Sequence, residues 1–291
     1  MELNHEPVSG PVRAAATVVM LRDAPGGLEV FLIKRHGLSD VLGGAYVFPG
    51  GKVDRQDALL DMAAHLDQPP QRLHAVLGEP ELDPVAAAGI YVAALREAFE
   101  ETGLLYADGA HAALATQATA LLREGRAFDE MLALMQLRLN ASALTPWTRW
   151  ITPRVPSVMN KRFDTRFFVA AVPAGQQATH DNHEATDSVW LQPRAALEQY
   201  RDRAIELAPP QIMSLAHLSH HRSVASVLEQ ARSRLPPVIQ PEPFELDGVR
   251  VISYPGDERH PVATRAMPGP TRLHYRDRRF EPAAGFEALF D

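Results

Sequence analysis

The order of strand-like and helix-like segments predicts an α/β fold: an α/β/α sandwich around a mixed sheet, with a small C-terminal extension. Three observations support this prediction. Two β-branched, apolar stretches near the start are separated by a turn, a long helix with clear end signals follows, and short strands alternate with helices further on. We expect a loose tail over residues 1–11, a main domain over 12–235 and an extension over 236–291.

The first two strands are predicted at residues 14–22 and 28–34, because both stretches are rich in β-branched and apolar side chains. Residues 23–27 contain one proline and two glycines, so the two strands should form a hairpin. A loop that contains several glycines is predicted over residues 36–51. It ends in Phe48-Pro49-Gly50-Gly51.

The clearest helix is predicted at residues 84–102. Asp83 suits the N-cap, Pro84 suits the first helical position, and Gly103 is a natural terminator. At 100° per residue, three carboxylates fall within an arc of about 100°; they are Glu97, Glu100 and Glu101. Apolar residues fall on the opposite side and predict a buried face, at Val85, Ala88, Val92, Leu95 and Phe99.

The other segments carry weaker patterns. Residues 58–82 predict short helical pieces interrupted by prolines, and residues 110–138 are mostly helical with a break near Gly125. Strands are predicted at 149–151, 166–172 and 188–191, and helices at 193–200 and 210–232. The extension contains short candidate strands at 249–254, 271–275 and 279–280.

Composition excludes several classes of function. The chain has 29 Lys and Arg against 36 Asp and Glu, a net charge of -7, which argues against general nucleic-acid binding. It has no cysteine, so thiolate metal sites and cysteine nucleophiles are excluded. The N-terminus does not resemble a signal peptide, and residues 14–21 are too few to cross a bilayer. We expect a cytoplasmic protein with no nucleic-acid or membrane partner, and a homodimer as a possible assembly.

The acidic helix face suggests a metal site. Like charges at this spacing repel, and Arg96 can pair with Glu100 four residues later, which leaves excess carboxylate oxygens. Hard cations such as Mg²⁺ or Mn²⁺ prefer these ligands. Gly50 and Gly51 allow close backbone approach, so the carbonyl of Gly51 could join the carboxylates. The alternative is an ordinary solvated acidic face.

Two segments together resemble the Nudix box: residues 48–52, and residues 96–104 with the sequence Arg-Glu-Ala-Phe-Glu-Glu-Thr-Gly-Leu. The resemblance implies a Nudix-type α/β/α sandwich and metal-dependent water attack on a nucleoside diphosphate linkage. It therefore also implies a small-molecule nucleotide substrate. Asp57 stands where the pattern has Glu, and Ala98 replaces a larger apolar residue. Residues 58–95 occupy a stretch for which the pattern has seven positions, so about 31 residues are inserted, roughly over 58–88.

The insertion resembles the peroxisomal coenzyme A diphosphatase branch of this family and its bacterial relatives. Further motifs support it, including Arg35-His36-Gly37, residues 43–48, residues 144–147 and 150–153, residues 161–168 and residues 207–211. The branch implies cleavage of coenzyme A or acyl-CoA to 3',5'-ADP and a 4'-phosphopantetheine part. One departure is Asp40, where a signature of another group of coenzyme A Nudix enzymes has arginine.

Several further residues are candidates for the site, and each also has an ordinary structural explanation. Glu184, in a polar loop, is our candidate for a further acid that orients water or binds a second metal, against an ordinary solvated loop. Arg35, Lys161 and Arg162 are candidates for binding substrate phosphates, against surface ion pairs. Trp147 and Trp150 could stack on adenine or pack in the core.

Three functions remain open. The first is coenzyme A diphosphatase activity, the second is hydrolysis of ADP-ribose, NADH or another nucleotide, and the third is nucleotide sensing without catalysis. Loss of a box carboxylate would favour the sensor, and Glu97, Glu100 and Glu101 are all present. For the two enzymatic functions, the expected catalytic residues are Glu97, Arg96 and Glu184.

Overall fold

The computed structural model describes residues 7–8, 10–37, 42–155, 161–181 and 185–291. Over these ranges the main sheet has eight strands. They are β1 (Arg13–Ala24), β2 (Gly27–Arg35), β3 (Tyr46–Val47), β4 (Gly50–Lys52), β5 (Thr145–Ile151), β6 (Phe163–Ala171), β7 (Ala185–Leu191) and β8 (Val238–Ile239). The sheet is mixed, as predicted, because β1 pairs in parallel with β6 and antiparallel with β2 and β4.

Eight α-helices lie in the described ranges. They are α1 (Met62–His65), α2 (Pro70–Leu77), α3 (Pro84–Thr102), α4 (Ala112–Arg123), α5 (Phe128–Met135), α6 (Pro193–Arg201), α7 (Pro209–Leu218) and α8 (Val224–Arg232). Short 3-10 helices occur at Arg55–Ala58, Ala141–Ala143 and Phe286–Phe290. The predicted helix over 210–232 is wrong as a single element, because Ser223 caps a new helix by accepting the N–H of Ser226 at 3.3 Å.

Alternating residues of β1 point into separate cores on the two faces of the sheet. Val18 and Met20 belong to the core beneath α3, whereas Val19 and Leu21 belong to the core beneath α6, α7 and α8. Two helical layers therefore enclose one sheet, which is the predicted α/β/α sandwich. The extension contains a second sheet of β9 (Glu242–Leu246), β10 (Val249–Ser253), β11 (Arg272–Arg276) and β12 (Arg279–Glu281).

The ends of α3 follow the local signals in the sequence. Asp83 Oδ1 accepts the N–H groups of Val85 and Ala86 at 2.8 and 3.3 Å, and Gly103 ends the helix at a φ of 71°. The predicted division into one buried and one solvated face is wrong in part. Val85 is 45% exposed, whereas α3 is buried almost continuously from Ala87 to Leu95.

The inserted segment explains the burial of α3. The helix α2 packs along α3, and Gly89 lies so close to the first 3-10 helix that an added Cβ would stand 3.1 Å from Ala58. Glu79, just after α2, forms a buried ion pair with Arg166 of β6, with Nη2 and Oε2 2.5 Å apart. The insertion is therefore attached both to the helix and to the sheet.

Candidate active site

The loop around Gly50 and Gly51 is held against β1. Gly50 pairs with Thr17 and Gly51 pairs with Ala16 in an antiparallel register. Gly50 has a φ of 152°, and a Cβ there would overlap the carbonyl of Ala16 and approach Thr17 Cα to 2.6 Å. Only glycine suits this position, because the atoms in the way belong to the backbone.

Gly51 faces the acidic end of α3. A Cβ on Gly51 would overlap all three carboxylate atoms of Glu97. The missing side chain thus leaves the space that the Glu97 carboxylate fills. Glu101, one turn further along α3, is 4% exposed and accepts the N–H of Gly50 at 2.7 Å. The glycine loop and the helix are therefore joined through the carboxylates that the sequence singles out.

Arg96 is the centre of the charge network at this site. Its Nε and Nη2 donate to the two carboxylate oxygens of Asp57 at 2.8 and 3.0 Å. Its Nη1 donates to Glu97 at 2.8 Å and to Glu100 at 3.0 Å, the second being the predicted contact. Nη2 also donates to the carbonyl of Lys52 at 3.1 Å. One guanidinium thus connects the loop, the 3-10 helix and α3.

The electrostatics follow from this arrangement. Burial alone would lower the pKa of Arg96, but the Asp57 hydrogen bonds and the charges of Glu97 and Glu100 raise it above its ordinary value. Burial raises the pKa of the Glu100 carboxyl, and Arg96 opposes that shift. Asp57 is 3% exposed, so its charge depends on Arg96 for compensation.

The donor set suits a hard divalent cation, since it consists of oxygen atoms only and includes more carboxylates than cations. The missing side chain of Gly51 lets the Glu97 carboxylate lie directly against the loop, which is compatible with such a site. In the described ranges, however, no three His, Asp or Glu side chains converge closely enough to hold a metal ion. Glu97 and Glu100 instead share Nη1 of Arg96, and Glu101 contacts Gly50.

The predicted phosphate-binding cations lie at the same end of the sheet as this loop. Phe163, directly after Arg162, pairs with Arg13, near the Ala16 that pairs with Gly51. Arg162 Nε donates to the carbonyls of Thr152 and Pro153 at 3.2 and 3.0 Å, so it also fixes the local backbone. Lys161 precedes it, and Arg35 ends β2 beside Ala185.

Glu184 and Asp40 lie outside the described residues, as do residues 1–6 and 9 of the predicted tail. Next to Glu184, Ala185 donates its N–H to Asp181 at 3.3 Å, and His180 contacts the hydroxyl of Ser188 at 3.0 Å. Local hydrogen bonds are therefore present on both sides of Glu184.

The two tryptophans are core residues, so the alternative of stacking on adenine is wrong. Trp147 is 1% exposed and packs against His217 with ring centroids 5.0 Å apart. Trp150 is 5% exposed and contacts Phe167 and Tyr254. A ligand could not reach either ring face without opening the core.

Sequence reasoning did not identify Tyr46 and Asp187 as a pair at this end of the sheet. The Tyr46 hydroxyl donates to Asp187 at 2.6 Å, and burial followed by this contact raises the pKa of Tyr46 to about 12. The same hydrogen bond lowers the pKa of Asp187. The only signal was the position of Tyr46 two residues before Phe48, because Asp187 is distant in the chain.

Among the described residues, every helix is too short or too polar to cross a lipid bilayer. The chain is similar to an acyl-coenzyme A diphosphatase NUDT19 of Xenopus laevis, at 29% identity over 80% of this chain and 71% of that protein. The human protein of that name is 26% identical over 80% of this chain and 72% of its own length.

A crystal structure of a NUDIX hydrolase from Alicyclobacillus acidocaldarius has a TM-score of 0.63 and 28% sequence identity. It covers 78% of this chain and 98% of its own. The family model described as the NUDT19 Nudix domain matches residues 12–218, which include the loop, the insertion and α3. The chain therefore belongs to the Nudix hydrolases, in the NUDT19 Nudix domain family.

Proposed function

We propose that this enzyme hydrolyses the diphosphate linkage of coenzyme A or acyl-CoA to 3',5'-ADP and (acyl-)4'-phosphopantetheine. The observation that carries the proposal is the family match across residues 12–218, together with relatives from Xenopus laevis, Gallus gallus and Homo sapiens named acyl-coenzyme A diphosphatase. The inserted segment inside the box agrees with the same branch.

We propose Glu97, Glu100 and Glu101, with the carbonyl of Gly51, as the ligands of Mg²⁺ or Mn²⁺. Such an ion would neutralise phosphate charge and lower the pKa of bound water. In the chain itself, the contacts of Arg96 with Glu97, Glu100 and Asp57 support a positioning role for Arg96, because one rigid fork fixes several carboxylates. Glu97 and Glu184 are the proposed residues for orienting or deprotonating the attacking water.

We assign substrate phosphates to Arg35, Lys161 and Arg162. Coenzyme A differs from ADP-ribose by its 3'-phosphate and its long pantetheine arm. A 3'-phosphate requires guanidinium or ammonium donors. Arg162 is a candidate because it lies next to the start of β1, the strand that pairs with the glycine loop. The arm requires an apolar wall, for which the inserted segment is the candidate.

A second candidate function uses the same metal site on ADP-ribose, NADH or another nucleotide. A sensing domain without catalysis is less well supported, because the box retains all its carboxylates and Arg96. A cytoplasmic location and a homodimer also stay proposals. Light scattering coupled to size-exclusion chromatography would test the dimer directly.

The experiment on the site compares Glu101→Gln with the wild-type enzyme, using acetyl-CoA and Mg²⁺ or Mn²⁺. Loss of an anionic ligand should reduce turnover by a factor of about 100 or more while the fold is retained. The matched control is Glu124→Gln, an exposed acid at the end of α4. Chromatography of the products should show 3',5'-ADP. Near-normal turnover in a folded Glu101→Gln protein would refute the ligand assignment.

A further inference from the structure

A pocket of about 320 Å³ lies between the two C-terminal helices of the main domain and the extension. Its helix side is formed by His217, His220, Gln230 and Arg234, and its other side includes Arg265 and Met267. We call it the basic pocket. Its lining contains two arginines and no acidic residue.

The positive charge of the basic pocket is uncompensated. Arg234 has neither a hydrogen-bond partner nor an ion-pair partner within the ranges that the structure describes. Arg234 is exposed as a whole residue, and partial desolvation lowers its pKa, although arginine remains charged at neutral pH. Arg265 donates through Nη2 to the carbonyl of Gly269, which leaves its other N–H groups available.

Two residues that line the basic pocket, His217 and Gln230, belong to a hydrogen-bonded histidine network. The Oε1 atom of Gln230 accepts from Nε2 of His217 at 2.8 Å and from Nε2 of His221 at 3.2 Å. Burial, assisted by the charge of Arg234, lowers the pKa of His217 to about 3. Burial also lowers the pKa of His221, so His217 and His221 are neutral hydrogen-bonding groups at physiological pH, and the arginines supply charge.

The basic pocket is separate from the candidate active site. Tyr46, at the active-site end, donates its N–H to the carbonyl of Glu206 at 2.9 Å, shortly before α7 begins at Pro209. His217 lies eight residues further along α7, which corresponds to about 12 Å along the axis. The core that contains His217's helix is on the sheet face opposite α3.

We propose that the basic pocket is a second ligand site, which binds the phosphate group of a small phosphomonoester. Arginine forks match the geometry of phosphate oxygens, and an unpaired arginine beside a pocket offers such a fork without first breaking an ion pair. The pocket volume lies at the lower end of the range for small-molecule sites. Met267 supplies an apolar surface for the part of the ligand that carries the phosphate.

The test uses inorganic phosphate and adenosine 5'-monophosphate as probes, measured by calorimetry in EDTA so that divalent metal is absent. The wild-type protein should bind adenosine 5'-monophosphate saturably. The Arg234→Ala/Arg265→Ala double variant should weaken binding by about tenfold or more, because charge-assisted hydrogen bonds are lost. The single variant Arg234→Lys, which keeps a positive charge at this position, should bind more tightly than the double variant. The matched control, Arg232→Ala, removes an exposed charge from the last turn of α8 outside the pocket and should bind like wild type.

Two readouts separate this proposal from the catalytic one. The pocket variants should retain the metal-dependent turnover of the wild-type enzyme, and thermal melting should show that they are folded. Imidazole resonances of His217 and His220 should shift on addition of probe. Undiminished binding in the folded double variant, equal loss in Arg232→Ala, or no saturable binding to wild type would each overturn the pocket assignment. Failure to cleave coenzyme A would leave these outcomes unchanged.

Discussion

Arg96 binds both carboxylate oxygens of Asp57, through Nε at 2.8 Å and through Nη2 at 3.0 Å. Asp57 stands where the Nudix pattern has Glu, yet the shorter side chain reaches the guanidinium because the 3-10 helix at Arg55–Ala58 brings it close. The pair connects the segment before the insertion with the helix after it. Asp57 therefore supports the site through Arg96.

Replacing Asp57 with Asn should lower turnover by a factor of about 10 to 100, because residues that orient metal ligands contribute on this scale. Arg96 would lose its fork partner and would be free to bind Glu97 and Glu100 more tightly. Steady-state kinetics with a metal titration would detect the effect. Asp54→Asn is the matched control, since Asp54 is 64% exposed and 3.7 Å from Arg96. Equal effects of the two variants would contradict the role of Asp57.

The two loop glycines should respond differently to alanine. Gly51→Ala displaces the flexible carboxylate of Glu97, so it should reduce turnover strongly while the free energy of unfolding changes little. Gly50→Ala places Cβ against the backbone of Ala16 and Thr17 at an unfavourable φ, so it should lower the free energy of unfolding by about 1 kcal/mol or more. Urea unfolding and kinetics on both variants would check this contrast. An active Gly51→Ala enzyme would show that the close approach to Glu97 is dispensable.

The buried pair of Glu79 and Arg166 should stabilise the attachment of the insertion. Their side chains are 7% and 5% exposed, and Glu79 also pairs with Arg149 at 2.8 Å. Glu79→Gln would therefore remove one carboxylate from two guanidinium groups, with Asp164 still in contact with both. The free energy of unfolding should fall by about 3 kcal/mol, the scale found when one member of a buried ion pair is removed. Glu81→Gln is the control, because Glu81 is 60% exposed, so its replacement should change the free energy of unfolding far less than that of Glu79. A stable Glu79→Gln protein would mean that the pair contributes little.

His217 should make the protein sensitive to acid. In the unfolded chain it takes up a proton near its ordinary pKa of 6.5, whereas burial lowers its folded pKa to about 3. As pH falls from 6.5 towards 3, the unfolded state binds the proton and the folded state does not, so stability present above pH 6.5 is lost. The surrounding His220, His221 and Arg234 add to this effect. The loss from His217 should be at most roughly 4 kcal/mol.

The His217→Gln variant would isolate this contribution. Its free energy of unfolding should depend less steeply on pH between 6.5 and 3 than that of the wild-type protein. His220→Gln, which changes an exposed neighbour, should keep most of the wild-type slope, because His220 makes the smallest of the contributions that lower the pKa of His217. Parallel slopes for His217→Gln and wild type would rule out His217 as the source of the acid sensitivity.

Local signals in the sequence predicted the fold well where they were strong. The bounds of α3 follow from Asp83, Pro84 and Gly103, which act within one turn of the helix ends. The single helix predicted over 210–232 failed because the polar residues 219–223 separate α7 from α8, and Ser223 caps the second helix. The missed strand β8 has only two residues, and β9 contains Pro243, which argues against a strand when the sequence is read alone.

In the candidate site too, a contact between residues close in the chain was predicted, whereas contacts between distant residues were not. The contact of Arg96 with Glu100 follows from helical spacing, and the sequence predicted it. The contact of Arg96 with Asp57 spans 39 residues, and that of Arg166 with Glu79 spans 87 residues. Neither leaves a periodic signal, because each depends on how the insertion packs against α3 and the sheet. Burial of Glu101 was also unpredictable, since the loop that covers it is distant in the chain.

The most direct test of the central claim is the ratio of kcat/KM values for coenzyme A, dephospho-coenzyme A, ADP-ribose and NADH, measured on one enzyme preparation with saturating Mg²⁺ or Mn²⁺. If Arg35, Lys161 or Arg162 binds the 3'-phosphate, coenzyme A should be cleaved with a kcat/KM about tenfold or more above that of dephospho-coenzyme A, because a charge-assisted contact is lost. ADP-ribose and NADH should be poorer still, since they lack the pantetheine arm. Equal or better cleavage of ADP-ribose or NADH would contradict the coenzyme A assignment and favour the alternative nucleotide diphosphatase.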